Sequence, residues 1–318
     1  MNDWQPTASL DNLRLRAELL TKLRVFFAAR NILEVDTPAL SRAGATDRHI
    51  QSFRVEDDRR GHLYLHTSPE FPMKRLLAAG SGDIYQLCKV FRSGEAGRLH
   101  NPEFTMLEWY RVGFDHHQLM AEVAVLIGGL IPELGPPEFL TYREAFQMHA
   151  GFDVATSGSK ECIAALNRAG RRVPAEDQLD HDGWLDMVAG DLVYPALGKG
   201  RLTFIYNYPA SQAALARVWP GETPVAERFE AFVDGVELVN GFHELADAAE
   251  QRRRFETDGT YRKQHGLMDV PMDERLLSAL GHGLPDCAGV ALGFDRLVMV
   301  AAAARSLEEV IAFPADRA

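Results

Sequence analysis

Three side chains that can bind charged groups lie on the apolar face of two predicted strands. The run EFTMLEWYR at 103–111 alternates like a strand, which places Glu108 and Tyr110 on one face. The run DIYQLCKVFR before it places Arg92 beside the apolar residues of its own strand. A guanidinium directed into a site with Glu108 and Tyr110 can hold a carboxylate or phosphate through two parallel hydrogen bonds. A purely structural Arg–Glu pair explains the same residues equally well.

Two further carboxylates, Glu237 and Glu244, lie seven residues apart in a predicted strand. On a regular strand they point to opposite faces, but a bulge at Asn240–Gly241 would bring them to one face. Two carboxylates there are suited to hold Mg²⁺ against the phosphates of a nucleotide. Alternatively, Asn240–Gly241 is itself a hairpin turn, although this leaves Asp234–Gly235, a good hairpin signal, without a role. Exposed strand carboxylates without any function are also common.

Small residues alternate near the C-terminal end of the chain. Gly289, Ala291 and Gly293 leave one face of a predicted strand almost without side chains, so a flat ligand can lie on the backbone. Arg296 follows at the start of the next predicted helix, within reach of a phosphate. A close contact between helix and sheet explains the small residues equally well.

An acidic residue begins another predicted helix. Ser68 is predicted as its N-cap, Pro69 as its first residue and Glu70 as part of its first turn. Stabilisation by the helix dipole alone accounts for an acid at Glu70.

The composition excludes several classes of protein. Of the 318 residues, 46% are hydrophobic, and no apolar run approaches the roughly 20 residues that span a bilayer. The N-terminus lacks a basic start followed by an apolar block, so a cytoplasmic location is expected. The three cysteines are widely spaced, which disfavours disulfides and a zinc site. A net charge of −11 argues against nucleic-acid binding as the main function.

The order of the predicted elements indicates an α+β fold, an antiparallel sheet flanked by helices, in a single domain over residues 1–318. Helices are predicted at 11–30 and over most of 115–200, and a charged, exposed helix begins near residue 251. His116–His117 is interpreted as a surface pair, since no partner acid or thiol is evident nearby in the sequence. Neither a dinucleotide-binding glycine fingerprint nor a P-loop occurs.

Taken in order, these segments resemble the catalytic domain of class II aminoacyl-tRNA synthetases, and the lysyl branch above all. EVDTPAL is similar to motif 1, a dimer-interface element; FR followed by HNPEFTMLEWY is similar to motif 2; and GVALGFDR is similar to motif 3. ERFEAFVDGVELVNGFHEL matches the lysyl branch. The resemblance covers nearly the whole chain and implies ATP as co-substrate, Mg²⁺ as cofactor and a homodimer.

The resemblance also implies roles for individual residues. Arg92 would be the catalytic residue, bridging the substrate carboxylate and the α-phosphate, while the polar loop at 93–102 closes over ATP. The metal role of Glu237 and Glu244 rests on their residue types, as described above. The implied ATP-binding residues are Arg92, Asn101, Glu237, Leu238, Gly293 and Arg296. The implied substrate-binding residues are Ser68, Pro69, Glu70, Tyr110, Glu244 and Ala291, with Glu70 and Glu244 binding ammonium groups.

Lysyl-tRNA synthetases carry an anticodon-binding barrel before motif 1, whereas only about thirty residues precede it here. We therefore expect no tRNA anticodon binding. The chain is similar to a truncated lysyl branch, which implies activation of (R)-β-lysine as an adenylate and its transfer to a lysine side chain of elongation factor P. Two alternatives stay open: an activating paralog that acts on tRNA or a small acceptor, and a silent paralog with a binding or regulatory role.

The chain departs from the lysyl-tRNA synthetase pattern at two positions. Motif 2 usually reads Arg-x-Glu, but Gly94 stands in the acidic position and Glu95 follows it. Ala291 stands where lysyl-tRNA synthetase has glycine, and its methyl group narrows the floor of the amino-acid site. We therefore expect Ala291→Gly to improve the use of α-lysine, measured by pyrophosphate exchange with α- and β-lysine. An unchanged preference would contradict this steric explanation.

Overall fold

A computed structural model of the chain describes residues 4–318. Its α-helices are α1 (Leu10–Ala28), α2 (Glu70–Ala78), α3 (His116–Leu130), α4 (Tyr142–His149), α5 (Ser159–Arg168), α6 (His181–Val188), α7 (Ala248–Gln264), α8 (Glu274–Gly283) and α9 (Phe294–Ala301). Its strands are β1 (Leu33–Glu34), β2 (Leu40–Ser41), β3 (Arg54–Asp57), β4 (Gly61–Leu65), β5 (Ile84–Phe91), β6 (Glu103–Val112), β7 (Gly135–Thr141), β8 (Arg201–Pro209), β9 (Val218–Trp219), β10 (Val225–Val233), β11 (Val236–His243) and β12 (Cys287–Gly293). Among the helices of this described part, none combines the length and apolar character that crossing a membrane requires.

The chain forms two compact units. The first contains the residues up to Asp115 together with Glu244–Ala318, and the second is His116–His243. Within the units, the pairs β1–β5 and β7–β8 are parallel and the other strand pairs are antiparallel, and helices accompany the strands of both units. The predicted α+β class is therefore confirmed.

The strands of the first unit run in the order β1-β5-β6-β12, and β2-β4-β3 form a small separate sheet. β1 pairs parallel with β5, whereas β5, β6 and β12 are antiparallel. Helix α1 covers this sheet: the Phe27 ring stacks on Tyr85 with 4.3 Å between centroids and meets the edge of Trp109 at 5.5 Å. All three rings are buried, so this aromatic cluster holds the helix to the two strands that carry Arg92's loop.

The second unit packs helices against the strands β11-β10-β8-β7, with β9 paired to β10. Apolar residues of α4, α5 and α6 fill its core, including Phe146, Leu166 and Trp184. Residues 115–200 are mostly helical, as predicted, but they also contain β7, whose two prolines disguise a strand that pairs with β8.

The β10–β11 hairpin confirms one turn prediction and corrects another. Asp234 (φ 48°) and Gly235 (φ 75°) form its two-residue turn, as the sequence predicts. Val239 faces Ala231 and Glu237 faces Phe232, so Leu238 is the extra residue of a bulge. The bulge predicted at Asn240–Gly241 is thus two residues away, and the hairpin turn considered there is wrong. Both residues lie in the regular strand because β10 supplies their partners.

Three local predictions also need correction. Pro69, not Ser68, is the N-cap of α2, although the Ser68 hydroxyl accepts a hydrogen bond from Glu70 N at 3.0 Å. The charged helix α7 is not exposed throughout, because Arg262 is 1% exposed and donates to the carbonyl oxygens of Asp47 and Met268. His116, expected on the surface, is buried.

Candidate active site

The pairing of β5, β6 and β12 arranges the predicted polar residues of the first unit in two rows across the sheet, one through Glu108 and one through Tyr110. Glu108 on β6 lies between Gln86 on β5 and Ala291 on β12. Tyr110 lies two residues along β6, opposite Gly289. Since residues two apart on a strand share a face, Glu108, Tyr110, Gly289 and Ala291 line one side of this sheet.

Lys74 joins two acids in front of that face. Its Nζ lies 2.6 Å from Glu70 Oε1, one turn earlier on α2, and 2.5 Å from Glu244 Oε2. Lys74 and Glu244 are 1% and 2% exposed. Burial alone lowers the pKa of a lysine, but the two carboxylates outweigh this and hold the Lys74 pKa above its ordinary value. The side chain is therefore a permanent ammonium group.

Glu108 completes what we call the carboxylate cluster: Glu70, Lys74, Glu108 and Glu244. Its two oxygens accept hydrogen bonds from Ser68 Oγ at 2.6 Å and Tyr110 OH at 2.7 Å. Burial, and then repulsion from Glu70, raise the pKa of Glu108 to about 8 despite these hydrogen bonds. Burial also raises the pKa of Glu244 to about 7, against the opposing attraction of Lys74. Both acids thus resist ionisation until a further cation arrives.

The charge balance of the cluster indicates its chemistry. When a bound cation favours ionisation of Glu108 and Glu244, the three carboxylates and the one ammonium group of Lys74 together carry two negative charges in a buried site. Such charges are stable only when cations and hydrogen-bond donors neutralise them. The arrangement is therefore suited to a molecule with two ammonium groups.

Gly289 makes room for this cluster. A Cβ atom at Gly289 would overlap the Tyr110 ring and the Glu244 carboxylate. The Gly289 backbone N–H also donates to Glu244. The bare face predicted around residues 289–293 is thus covered at Gly289 by two side chains of the cluster, and the glycine is required by close packing.

Two arginines contact the polar loop at 93–102 from its base. The Arg92 guanidinium lies 3.6 Å from Glu95, donates to Thr67 O at 3.4 Å and lies 5.1 Å from the centre of the Phe104 ring. Glu95 therefore pairs with Arg92 although Gly94 occupies the usual acidic position.

Arg296, in the first turn of α9, contacts a later part of the same loop. Its Nε donates to Leu99 O at 3.2 Å, and a terminal nitrogen lies 2.8 Å from His100 Nε2. The neighbouring Gly293 is the N-cap of α9. Arg92 and Arg296, from distant parts of the sequence, thus hold the two halves of one loop.

Asn101 and Asp295 form contacts that hold the polar loop at 93–102 and helix α9 in position. Asn101 is buried, donates to Glu103 O at 2.5 Å and accepts from Ala315 N at 3.0 Å. Asp295 is buried, accepts from Thr105 N at 2.6 Å and forms an ion pair with Arg16. These bonds fix the start of α9 to β6.

The remaining predicted residues lie in the second unit. Glu237 on β11 is half-buried, and Leu238 is the buried bulge residue beside it. Burial raises the pKa of Glu230 on β10, Arg228 lowers it, and Glu237 raises it further. Glu230 and Glu237 are therefore close enough to interact, and Arg228 forms an ion pair with Glu230.

Sequence patterns miss the role of Lys74. It lies four residues after Glu70, a spacing that normally indicates an exposed helical ion pair. Here Lys74 is buried, and its second carboxylate partner, Glu244, lies 170 residues later in the chain. The sequence contains one signal of this role: Glu70, Lys74 and the apolar Leu77 lie on the same face of α2.

The chain belongs to the class II tRNA synthetase family: the family described as "tRNA synthetases class II (D, K and N)" matches residues 2–317. Within it, a protein of Pseudoalteromonas translucida (strain TAC 125) is 50% identical over 323 residues, covering 100% of this chain and 99% of that protein. A protein of Vibrio cholerae serotype O1 is 49% identical over 322 residues, with 100% and 99% covered. Both relatives are named elongation factor P–(R)-β-lysine ligase, as is one of Salmonella paratyphi A at 49% identity over 320 residues, covering 99% of this chain and 98% of that protein.

Proposed function

We propose that this chain activates (R)-β-lysine with ATP and transfers the acyl group to a lysine side chain of elongation factor P. A substrate carboxylate oxygen attacks the α-phosphorus of ATP, and pyrophosphate leaves. The ε-amine of the acceptor lysine then attacks the acyl carbon of the adenylate, forms an amide, loses a proton and releases AMP. Full-length relatives with this name at about 50% identity support the assignment.

The carboxylate cluster is the observation that carries the proposal. β-Lysine brings two ammonium groups, which match the two negative charges left after Lys74 is counted. Glu70, Glu108 and Glu244 recognise these groups, while Ser68, Pro69, Tyr110 and Ala291 shape the space around them. Recognition by buried opposite charges also disfavours amino acids with a single amine.

Arg92 and Arg296 supply positive charge for ATP. In the proposal Arg92 stabilises the charge that develops on the α-phosphate, without a protein nucleophile. Arg296 and Gly293 bind the nucleotide at the start of α9, and Asn101 positions the loop that covers it. The proposal that Glu237 and Leu238 bind ATP rests on the sequence resemblance.

Mg²⁺ belongs to the same proposal, with one restriction. Glu244 fits an ammonium group better than a metal ion, because Lys74 Nζ lies 2.5 Å from its carboxylate. Glu237 is therefore the better candidate, and carboxylate oxygens are ligands that Mg²⁺ prefers. When bound, Mg²⁺ would neutralise phosphate charge.

We further propose a single catalytic domain formed by both units, a homodimer and a cytoplasmic location. The family match over residues 2–317 supports the single domain. Within the described residues, Cys88, Cys162 and Cys287 are not joined in disulfides, which suits a reducing compartment.

Intact-mass analysis of elongation factor P tests the function. Incubation with this protein, ATP and (R)-β-lysine is expected to add one β-lysyl group, and omission of ATP is expected to prevent the addition. An Arg92→Gln variant is expected to lose most of the activity, whereas Arg14→Gln on the exposed face of α1 serves as a control. An unshifted mass together with charged tRNA would overturn the choice of acceptor, and no pyrophosphate exchange would support a silent paralog.

A further inference from the structure

Two imidazoles and a carboxylate meet inside the second unit. His116, Glu227 and His243 each offer one ligand atom, and these atoms lie within 4.8 Å of one another. The three residues are only 4%, 9% and 6% exposed. Two histidines and one glutamate are a donor set that Zn²⁺ takes in proteins, with further positions left for water or another ligand.

Paired strands hold two of these side chains in place. Phe242 faces Arg228 at the end of the β10–β11 register, and His243 and Glu227 are the next residues on the two strands. His243 Nδ1 lies 2.7 Å from Glu227 Oε2. The backbone of Arg217 ties both positions together, because its N–H donates to His243 O and its carbonyl oxygen accepts from Glu227 N. Side chains on a fixed ladder form a more exact metal site than side chains on a loop.

His116 reaches the pair from the first residue of α3. Its Nε2 lies 3.3 Å from Asn207 Oδ1. Asn207 has a φ of 58°, an uncommon conformation for a residue other than glycine. With the amide oxygen as acceptor, Nε2 of His116 carries the proton and Nδ1 keeps the lone pair. Metal-binding histidines are typically oriented in this way by a hydrogen bond from their other nitrogen.

We infer that His116, Glu227 and His243 form a binding site for Zn²⁺ or a similar borderline divalent metal. Tetrahedral coordination places ligand atoms about 3.3 Å apart. Side-chain rotations that move the ligand atoms by about an ångström would therefore give the cluster the geometry of a zinc site. The metal would take a position between the His243 and Glu227 ligand atoms, which now lie 2.7 Å apart. Mg²⁺ is a poor occupant because it prefers oxygen ligands. Bound metal would tie the start of α3 to the β10–β11 hairpin.

Metal binding by the tag-free, full-length protein tests this inference. After treatment with a chelator, equilibrium dialysis against Zn²⁺ is expected to load one ion per chain, and Mg²⁺ is expected not to compete. His116→Gln and Glu227→Gln are each expected to weaken Zn²⁺ binding by at least about 100-fold. His117→Gln is the matched control, since His117 is exposed and adjacent, and it is expected to bind like the original protein.

X-ray absorption of the Zn²⁺-loaded protein is expected to show two imidazole ligands and carboxylate oxygen. Zn²⁺ is also expected to raise the melting temperature of the original protein and of His117→Gln, but not of Glu227→Gln. The inference is overturned when the original protein binds no Zn²⁺, or when Glu227→Gln folds and binds Zn²⁺ as tightly as the original. In either case the three residues form only a cluster of buried polar side chains.

Discussion

Lys74 supplies one ammonium group to a site with three carboxylates, and the remaining charge determines which ligands fit. A ligand with two ammonium groups neutralises the cluster completely. A ligand with one amine leaves one carboxyl group of the cluster without a counter-ion, and its raised pKa means that this group then stays protonated. We therefore expect lysine-like molecules to bind more tightly than amino acids with a single amine.

The raised pKa values of Glu108 and Glu244 predict how activity depends on pH. At about 8 and about 7, these values leave both groups largely protonated at pH 6 and ionised at pH 9. Because a diamine binds the ionised form, kcat/KM for β-lysine is expected to rise across this range. Pyrophosphate exchange measured against pH checks the rise.

Variants separate this effect from ionisation of the substrate. Glu108→Gln is expected to remove the part of the rise near pH 8, while Glu56→Gln, at an exposed position of β3, leaves the profile unchanged. A flat profile in the original protein would contradict the proposed role of the cluster.

Gly289 has no room for a side chain. Gly289→Ala is expected to push Tyr110 and Glu244 out of place, lower stability by about 1–3 kcal/mol and raise the KM for β-lysine at least about 10-fold. Gly281→Ala in α8 is the matched control, because no atom lies within 4 Å of the added carbon. Urea unfolding and pyrophosphate exchange measure the two effects. Equal behaviour of the two variants would show that the site tolerates the methyl group.

At the scale of elements, α9 and the polar loop at 93–102 act together through Arg296. Arg296→Gln is expected to loosen the loop, since the bonds to Leu99 and His100 are lost. Faster amide hydrogen exchange in residues 93–102 and a KM for ATP raised about 10-fold are the expected results, with the KM for β-lysine little changed. Arg305→Gln, which alters an exposed side chain, serves as the control. Unaltered amide hydrogen exchange in residues 93–102 would show that Arg296 does not order the loop.

Elements with a strong period were predictable, whereas irregularities set by neighbouring strands were not. Helix α1 and strands β5 and β6 follow the apolar repeats of their sequences closely. A bulge within the Glu237–Glu244 segment was also predicted, but glycine pointed to the wrong position. Pairing with β10 places the bulge at Leu238 instead, because the partner strand determines where an extra residue is accommodated.

Buried charge was the least predictable feature for the same physical reason. Lys74 and Arg262 are residue types that usually lie at the surface, and both are buried here, as is His116. Arg92, Glu70 and Glu244 were recognised as candidates because their types matched a known pattern. The pattern did not reveal that an internal lysine already joins Glu70 to Glu244.

For the whole molecule, exposed apolar side chains support the proposed homodimer. Val25 on α1, Leu33 on β1 and Leu40 on β2 are 63%, 55% and 44% exposed, and both strands lie at sheet edges within or beside the segment similar to motif 1. Light scattering after size exclusion is expected to give a dimer at micromolar concentration. Leu33→Glu combined with Leu40→Glu is expected to give monomers, whereas Val125→Glu, exposed on α3, is not. A monomeric original protein would contradict the dimer.

The ion pairs of Lys74 have a consequence for the fate of an acyl adenylate. A mixed anhydride formed beside a neutral lysine would acylate it, and the enzyme would inactivate itself. Glu70 and Glu244 keep Lys74 protonated, so its nitrogen has no lone pair with which to attack. The reactive intermediate is thereby preserved for an amine that arrives from outside.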